Sequence, residues 1–238
     1  MDQRNLVVVK WGTYYGPEYV INLYNAAKKH MDEDFTFHVF TDDSTLLPQR
    51  LGWVFHRLPD WKLKKENAWW YKMEMFNPAS QLVGRNVYLD LDVVIVGDIS
   101  PLWTHGKDRF TICQDFNRVF IPRFAGVNSS VMAWTTDTQR KMYEKFKAEF
   151  SSTLATHRGD QDYIGSYHSD PTFWPVKWVQ SYKWEIWRGG IKNRTQNTYE
   201  LEDQKSIIPA DCKVIAFHGK PKPHEITEKI LKKAWQGS

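Results

Sequence analysis

Two aspartates in an apolar segment are the residues in this sequence best suited to chemistry. Asp90 and Asp92 lie within Asn86–Ile99, which is otherwise rich in valine, leucine and isoleucine. Burying a carboxylate without a partner is costly, so the pair must lie at a strand end or share a cation. Residues i and i+2 of a strand point to the same face, which places these side chains about 6–7 Å apart. Oxygen ligands in that arrangement suit Mg²⁺ or Mn²⁺.

The alternative is that the two aspartates only end a strand and bind no metal. Their neighbours are too apolar for an ordinary surface loop, which favours the metal site. Leu91, between them, is expected to face away from the pair and to anchor the turn in the core. An Asp-x-Asp of this kind usually holds a metal that also holds a diphosphate.

Three further polar groups have both a chemical and a structural interpretation. Lys72 lies among apolar residues of a predicted helix, from which it could reach a phosphate or simply extend into solvent. Asp160 opens another predicted helix, where it could cap the first turn or act in catalysis. His218 follows the last predicted strand, in a loop with Lys220 and Lys222. That loop suits a metal and phosphates, or it begins a solvated basic tail.

The elements that must position these groups alternate between strands and helices. The run 6–10 predicts a first strand, and residues 17–30 repeat apolar side chains at helical spacing. This order indicates βαβ units and a mainly parallel sheet, in which ligands bind at the carboxyl ends of the strands. Further strands are predicted at 35–40, 53–56, 87–89, 110–113, 126–134 and 213–217, and further helices at 66–78 and 137–150.

Length and composition are typical of one globular domain, since the 238 residues contain no repeat, linker or low-complexity stretch. The net charge of +4 is too small to indicate nucleic-acid binding. There is no apolar run of transmembrane length and no signal-peptide pattern. Only two cysteines are present, so a reducing, cytoplasmic setting is expected. Residues 173–190 are rich in tryptophan without a regular period and predict an irregular aromatic lobe that helps to build an acceptor surface or lid.

Taken in order, five stretches resemble the glycosyltransferases of the GT-A fold, and most closely the glycogenin and galactosyltransferase group, family eight. The resemblance covers roughly residues 6–224. The matching stretches are 87–92 with 97–103, the loop 10–15, Lys72, Asn128-Ser129, and Asp160-Gln161 followed by His218-Gly219 and Lys222-Pro223.

The resemblance implies an α/β, Rossmann-like GT-A fold, with a mixed, mainly parallel sheet flanked by helices and a tryptophan-rich C-terminal lobe. It also implies a nucleotide-binding half at 1–98 and an acceptor and donor-sugar half at 99–238. The implied reaction moves a hexose, glucose or galactose, from a UDP-sugar to a sugar, protein or lipid-linked acceptor, with retention of configuration.

The resemblance also assigns roles to individual residues. Asp90, Asp92 and His218 would hold Mn²⁺ or Mg²⁺, and Asp160 and Gln161 would lie near the anomeric carbon. The residues implied to bind the nucleotide or the donor sugar are Lys10, Trp11, Gly12, Thr13, Tyr14, Tyr15, Lys72, Leu91, Asn128, Ser129, Gly219, Lys220 and Lys222.

The C-terminal loop departs from the family pattern His-x-x-Gly-x-x-Lys-Pro-Trp. Here Gly219 directly follows His218, so either Lys220 or Lys222 could contact phosphate, and His224 stands where the family has tryptophan. Two mechanisms stay open as well. Retention by front-face attack would use Asp160 or Gln161 as the stabilising group. Inversion would need Asp160 or Asp162 as the base that deprotonates the acceptor.

Two other functions compete with this one. A haloacid-dehalogenase-like phosphatase would use Asp90 as nucleophile and Asp92 as acid. Its motif normally ends the first strand of the domain, whereas here a long segment with its own strands and helix precedes the motif. A non-enzymatic carbohydrate-binding module would explain the aromatic content of 15%. Such a module leaves the two aspartates without a role.

Overall fold

The computed structural model describes residues 3–187 and 206–237. Within them the strands are β1 (Arg4–Lys10), β2 (Thr36–Thr41), β3 (Trp53–Arg57), β4 (Arg85–Leu89), β5 (Val93–Ile95), β6 (Thr111–Gln114), β7 (Val127–Thr135), β8 (Thr172–Phe173), β9 (Val179–Ser181) and β10 (Val214–Ala216). The α-helices are α1 (Pro17–Lys29), α2 (Arg140–Ala148), α3 (Phe150–Thr156), α4 (Asp160–Tyr167) and α5 (Lys229–Trp235).

A seven-stranded sheet forms the centre, in the order β3-β2-β1-β4-β7-β6-β8. The first four strands in this order are mutually parallel, whereas β7 runs antiparallel to both of its neighbours. A smaller sheet has the order β5-β10-β9. The predicted mixed, mainly parallel α/β architecture is therefore confirmed. The division at residue 98 stays a prediction, although β4 and β7, one from each half, pair directly.

The alternation of β1 explains why the core has two parts. Leu6 and Val8 point into one cluster, which contains α1 and the small sheet, and Val7 points into the other. Successive side chains of a strand face opposite sides of the sheet, so an entirely apolar run is the signature of a strand covered on both faces. The second cluster includes Tyr88 of β4 and Trp70 from the segment that carries Lys72.

The segment predicted to be helical at 66–78 is helical in the structure, where Lys65–Phe76 forms a run of 3₁₀ helix and not an α-helix. Side chains three residues apart lie in line in a 3₁₀ helix. Trp70, Met73 and Phe76 follow that spacing and are buried, which fits the tighter pitch. Trp69 and Lys72 form a second such line, and it faces the cavities described below. The single helix predicted at 137–150 corresponds to α2 and the start of α3, which are separate helices in the structure.

The aromatic segment 173–190 is irregular, but its tryptophans do not form the expected surface. Trp174 and Trp187 are buried, and Trp178 and Trp184 pack against the same core. Trp174 also donates its indole N–H to the Val131 carbonyl at 2.9 Å. The residues from 188 to 190 lie outside the described part of the chain. Within 3–187 and 206–237, no helix combines the length and apolarity that crossing a membrane requires.

A ladder of polar side chains crosses four strands of the sheet. His38 Nδ1 contacts His56 Nε2 at 2.9 Å, and His38 Nε2 contacts Asn5 Oδ1 at 3.1 Å. Asn5 donates in turn to Asn86 Oδ1 at 2.7 Å. Burial, reinforced by the neighbouring His56, lowers the pKa of His38 to about 4. The His38 ring is therefore held neutral in the folded protein.

We expect the free energy of unfolding to fall by about 3 kcal/mol through His38 as the pH drops from about 6.5 to 4. Over this window the histidine takes up a proton in the unfolded chain but not in the folded one, so acid favours unfolding. Urea titrations near pH 7 and near pH 4 measure the effect. The His38→Gln variant should show a smaller loss than the wild type; an equal loss in both proteins would contradict the assignment to His38.

Candidate active site

The carboxyl ends of β1 and β4 lie side by side, because these strands pair in parallel. Next to them opens a cavity of about 670 Å³, which we call the first cavity. Aromatic side chains form one part of its wall, and charged side chains form the other. Its lining includes Trp11, Tyr14, Tyr15, Trp69, Lys72, Tyr88, Asp90, Leu91, Asp92, Gly219 and Lys222.

Asp90 directly follows β4 and is held by two donors. The Tyr88 hydroxyl donates to Asp90 Oδ1 at 2.6 Å, which the alternation of a strand makes possible because both residues face the same side. Lys72 Nζ lies 2.9 Å from the same oxygen. The lysine also lies over the Tyr88 ring, 5.5 Å from its centroid. The carboxylate is thus neutralised by a cation from the 3₁₀ segment.

Lys72 also contacts Asp160, the first residue of α4. The distance from Lys72 Nζ to Asp160 Oδ2 is 3.3 Å, and the Ser129 hydroxyl donates to that oxygen at 2.8 Å. Burial raises the pKa of Asp160, while Lys72 and Ser129 oppose the shift. Burial alone would lower the pKa of Lys72, but Asp160 and Asp90 outweigh it and raise that pKa above its ordinary value. Lys72 is therefore a permanent cation bridging two carboxylates.

Asp92 has a separate set of partners. The Tyr15 hydroxyl donates to Asp92 Oδ2 at 2.9 Å, and Lys222 Nζ forms an ion pair with the same oxygen. Burial raises the pKa of Asp92, and Lys222 opposes that shift. Burial and the Asp92 carboxylate raise the pKa of Tyr15, so its hydroxyl stays a donor. The two aspartates line one cavity, but each has its own lysine.

A second cavity, of about 880 Å³, adjoins the first. Trp69 lines both cavities, and the contact between Lys72 of the first and Asp160 of the second joins them. The indole of Trp69 packs directly against the backbone of Gly159, where a Cβ would lie only 2.9 Å from the indole nitrogen. Other residues of the second cavity are Gln114, Asp115, Arg123, Phe124, Arg158, Gln161, Asp162, His168 and Phe173.

Comparison with known proteins rests on structure. No family model matches the sequence, and no curated protein matches it. The galactosyltransferase LgtC in complex with donor and acceptor sugar analogues superposes with a TM-score of 0.66 at 13% identity, over 98% of this chain and 94% of LgtC. An active-site mutant of LgtC gives 0.65 at the same identity and coverage. The glycosyltransferase GlyE of Streptococcus pneumoniae gives 0.66 at 13%, over 99% of this chain and 60% of GlyE.

The chain has the GT-A fold. At 13% identity the likeness establishes the fold, and membership of family eight stays a prediction. Strand β4 lies inside the sheet, between β1 and β7. A phosphatase of the haloacid-dehalogenase kind would place its aspartates after the first strand, so the position of Asp90 after β4 gives that hypothesis no support.

On this GT-A frame, four residues predicted near the donor sugar come together. Gln161 Oε1 accepts from Asn128 Nδ2 at 3.2 Å and from the Ser129 N–H at 3.3 Å. Its Nε2 donates to Asp115 Oδ2 at 3.2 Å. Asn128 and Ser129 belong to β7, whereas Asp160 and Gln161 open α4, so the strand fixes the start of the helix. The Gln161 amide is held in one orientation by these contacts.

In the structure His218 contacts other side chains and not the aspartates, and its role as a third metal ligand stays a prediction. Its ring stacks on Phe116 at 4.9 Å and 10°, and its Nε2 contacts the Ser181 hydroxyl at 2.7 Å. Burial, with the positive charge of Lys183 nearby, lowers its pKa well below the ordinary value. Across 3–187 and 206–237, no group of three or more histidines, cysteines or acidic residues is arranged to hold a metal.

Two carboxylates nevertheless fit a divalent cation. Asp90 and Asp92 line the same cavity and supply the oxygen ligands that Mn²⁺ and Mg²⁺ prefer. The ammonium groups of Lys72 and Lys222 lie against them and act as stand-in cations. The carboxylates of Asp90 and Asp92 therefore suit a positive charge, and His218 in its present orientation does not add to them.

The predicted donor loop is only partly in the cavity. Trp11, Tyr14 and Tyr15 line it, whereas Lys10, Gly12 and Thr13 do not. Lys10 Nζ instead donates to the Gly12 carbonyl at 2.8 Å, and the Gly12 N–H donates to Asp42 at 3.1 Å. Lys10 and Gly12 therefore stabilise the conformation of the loop. Because the Lys10 ammonium is hydrogen-bonded within the loop, it does not point into the cavity.

The two C-terminal lysines lie in different surroundings in the loop after β10. Lys222 is buried and lines the first cavity with Gly219. Lys220 is exposed and forms an ion pair with Glu225 outside the cavity. The Lys222 N–H donates to the same glutamate at 2.6 Å, which fixes the loop so that the two lysines diverge.

Sequence reasoning missed three residues of the site. Tyr88 could have been found, because it lies two residues before Asp90 and shares its face of the strand. Asp115 had a local role of its own, since it accepts from the Asn117 N–H at 2.7 Å as a turn residue does. Trp69 gave no signal, because its position at the junction follows from the 3₁₀ geometry and not from an α-helical pattern.

Proposed function

We propose that this protein is a glycosyltransferase that binds a nucleotide sugar in the first cavity and its acceptor in the second. The observation that carries the proposal is the junction of the two cavities at the buried cluster of Lys72, Asp90 and Asp160. In a group-transfer reaction the donor and the acceptor must meet at the bond that reacts. The charged cluster lies where the two cavities join, which suits such a meeting. The LgtC complex, which has the same fold, contains donor and acceptor sugar analogues.

The aromatic part of the first cavity suits a nucleobase. Trp11 stacks on Tyr71 at 5.6 Å and 24°, and Tyr71 stacks on Trp61 at 5.4 Å and 8°. This column holds Trp11 in place before any ligand binds, which lowers the entropic cost of stacking a base. We propose uracil as the base and glucose or galactose as the sugar, both from the family resemblance.

The charged part of the first cavity suits a diphosphate. Departure of the nucleotide builds negative charge on its phosphates, which preorganised cations stabilise. Lys222 is the cation of this kind at the Gly219 end of the cavity. We propose that Mn²⁺ or Mg²⁺ binds with Asp90 and Asp92 as its protein ligands; a bound divalent cation would neutralise part of the charge on the leaving group.

The reacting sugar lies, in this proposal, beside Asp160 and Gln161. As the bond to phosphate breaks, positive charge grows at the anomeric carbon, and the Asp160 carboxylate stabilises it. The Gln161 amide is engaged by Asn128, Ser129 and Asp115, which suits positioning. Asp162 pairs with Arg158 at 2.6 Å, and that hydrogen bond lowers its pKa, which makes it a weak base. This favours Asp160 over Asp162 as the active carboxylate, and from the family resemblance we propose front-face attack with retention.

The acceptor is proposed to be a sugar, a protein or a lipid-linked molecule, since the second cavity offers both aromatic and charged side chains. The setting is proposed to be cytoplasmic. Cys113 and Cys212 are buried free thiols in the structure, which fits a reducing compartment.

Thermal unfolding with UDP-glucose and UDP-galactose, each with Mn²⁺ or with EDTA, tests the proposal. A rise in midpoint with one sugar nucleotide, and slow release of UDP from it, would support a glycosyltransferase. Cleavage of p-nitrophenyl phosphate without any effect of the sugar nucleotides would support the phosphatase instead. No effect of either ligand class would leave a carbohydrate-binding module.

The Asp92→Asn variant is expected to weaken metal-dependent binding of the donor by at least about tenfold, since it removes one of the two negative ligands. Titration calorimetry with the donor and Mn²⁺ measures the change. Asp98→Asn is the matched control, because Asp98 accepts from the Ser100 N–H at 2.9 Å outside the cavity. Equal donor affinity of Asp92→Asn and wild type would count against the proposed metal ligands.

A further inference from the structure

The two lysines that neutralise Asp90 and Asp92 are held very differently. Lys72 contacts Asp90, Asp160 and the Ser129 hydroxyl, the last at 3.1 Å. Among residues 3–187 and 206–237, Asp92 is the one carboxylate that pairs with Lys222, and the hydrogen bond from Lys222 to the Phe217 carbonyl is long at 3.4 Å. Leaving its carboxylate thus costs Lys222 one ion pair, whereas Lys72 would lose two.

We infer that Lys222 is an exchangeable counter-ion: it holds Asp92 in the ligand-free protein, and a divalent cation and a nucleoside diphosphate displace it together. The cation takes over Asp92, and the ammonium of Lys222 moves to the phosphates. This inference rests on the proposed function and adds a competition between a lysine and the metal for one carboxylate.

Because each ligand alone would lie beside a charge of its own sign, the divalent cation and the nucleoside diphosphate are expected to bind together. A divalent cation entering alone would lie beside the buried ammonium of Lys222, and two cations at such a distance repel each other. A diphosphate entering alone would meet the carboxylates of Asp90 and Asp92. When both enter, each added charge finds an opposite partner, so each ligand should tighten the binding of the other.

The surrounding contacts allow the side chain of Lys222 to move while its backbone stays. The Lys222 N–H is held by Glu225 at 2.6 Å, which anchors the loop. Tyr15 donates to Asp92 at 2.9 Å and lies under the lysine, whose Nζ is 5.6 Å from the ring centroid. Tyr15 therefore keeps Asp92 oriented after the ammonium leaves, and its ring remains a surface along which the lysine can turn.

Mn²⁺ binding, followed by the paramagnetic resonance of the free ion with and without UDP, tests the exchange. In the wild type we expect UDP to tighten Mn²⁺ binding by at least about tenfold. In Lys222→Met we expect Mn²⁺ alone to bind at least about tenfold more tightly than in the wild type, and UDP to bind more weakly. Lys28→Met is the matched control, because Lys28 pairs with the exposed Asp34 at 3.1 Å and should behave as the wild type.

The outcomes separate this inference from the proposed function. If the wild type binds UDP but Lys222→Met binds Mn²⁺ no more tightly, the exchange is overturned and the glycosyltransferase proposal stands. If Lys222→Met tightens Mn²⁺ binding but UDP binds to neither protein, competition at Asp92 is supported and the proposed function fails. Should the variant not fold, judged by circular dichroism, the absence of coupling between UDP and Mn²⁺ in the wild type would still overturn the exchange.

Discussion

Replacing Lys72 by methionine is expected to lower the rate of UDP release from the donor sugar nucleotide by at least about 100-fold. The methionine keeps most of the apolar stem but removes the ammonium that bridges Asp90 and Asp160, at 2.9 and 3.3 Å. Removing one preorganised group that stabilises charge in the transition state typically raises the barrier by about 2.7–4 kcal/mol, which corresponds to that factor or more. Release of UDP from UDP-glucose or UDP-galactose, followed by chromatography, measures the rate.

Two further variants show whether charge or packing is responsible. Lys72→Arg retains the positive charge and should recover part of the lost rate. Lys213→Met removes a lysine that donates to the Asp98 carbonyl at 2.9 Å, away from both cavities, and should match the wild type. A folded Lys72→Met protein that releases UDP at more than about a third of the wild-type rate would contradict the bridging role.

The frame of the site was predictable because it depends on short-range patterns. An apolar strand followed by a helix and a second strand is typical of a βαβ unit, whose two strands are parallel. The carboxyl ends of parallel strands lie at the same edge of the sheet. Asp90 and Asp92 follow such a strand, so their place at the edge needed no structure. Lys72 was placed near this edge by the family resemblance alone, because its local sequence suited a phosphate contact and a solvent-exposed side chain equally.

The C-terminal loop was not predictable in the same way. Spacing along a loop does not determine where side chains point, because loop backbone angles have no fixed period. Lys220 and Lys222 are equally plausible in sequence, and the contacts of Glu225 separate them. His218 shows the same limit: its stacking on Phe116 depends on the turn after β6, and its contact with Ser181 depends on β9 pairing with β10, which no local pattern indicates.

The tryptophans illustrate a further limit, since their size suits a core and a binding surface equally. Trp174 and Trp187 are buried, whereas Trp69 is 43% exposed and lies at the junction of the two cavities. The tryptophan content of residues 173–190 therefore predicted an aromatic surface in that segment. In the structure the exposed tryptophan at this junction belongs instead to the 3₁₀ segment.

Replacing Asp160 by asparagine is expected to lower kcat for UDP release by about 100- to 1000-fold, with less than about a threefold change in KM for the donor. Asparagine has nearly the same shape and still accepts from the Ser129 hydroxyl, which contacts Asp160 at 2.8 Å. The substitution therefore removes the charge that we propose faces the reacting carbon, and it leaves the geometry of the side chain nearly unchanged. A neutral amide is also less costly to bury than a carboxylate, so we expect the variant to fold and to show a cooperative thermal unfolding transition.

Asp162→Asn is the informative comparison, because Asp162 lies two residues further along the same helix and also lines the second cavity. Its carboxylate is committed to Arg158 at 2.6 Å, so retention through Asp160 predicts that this variant keeps most of the transfer rate. Inversion with Asp162 as base predicts the opposite order of the two variants. Nuclear magnetic resonance of the first-formed product gives an independent decision, since the anomeric configuration is kept in one case and reversed in the other. A product of inverted configuration, with Asp162→Asn the slower variant, would remove Asp160 from the role assigned to it.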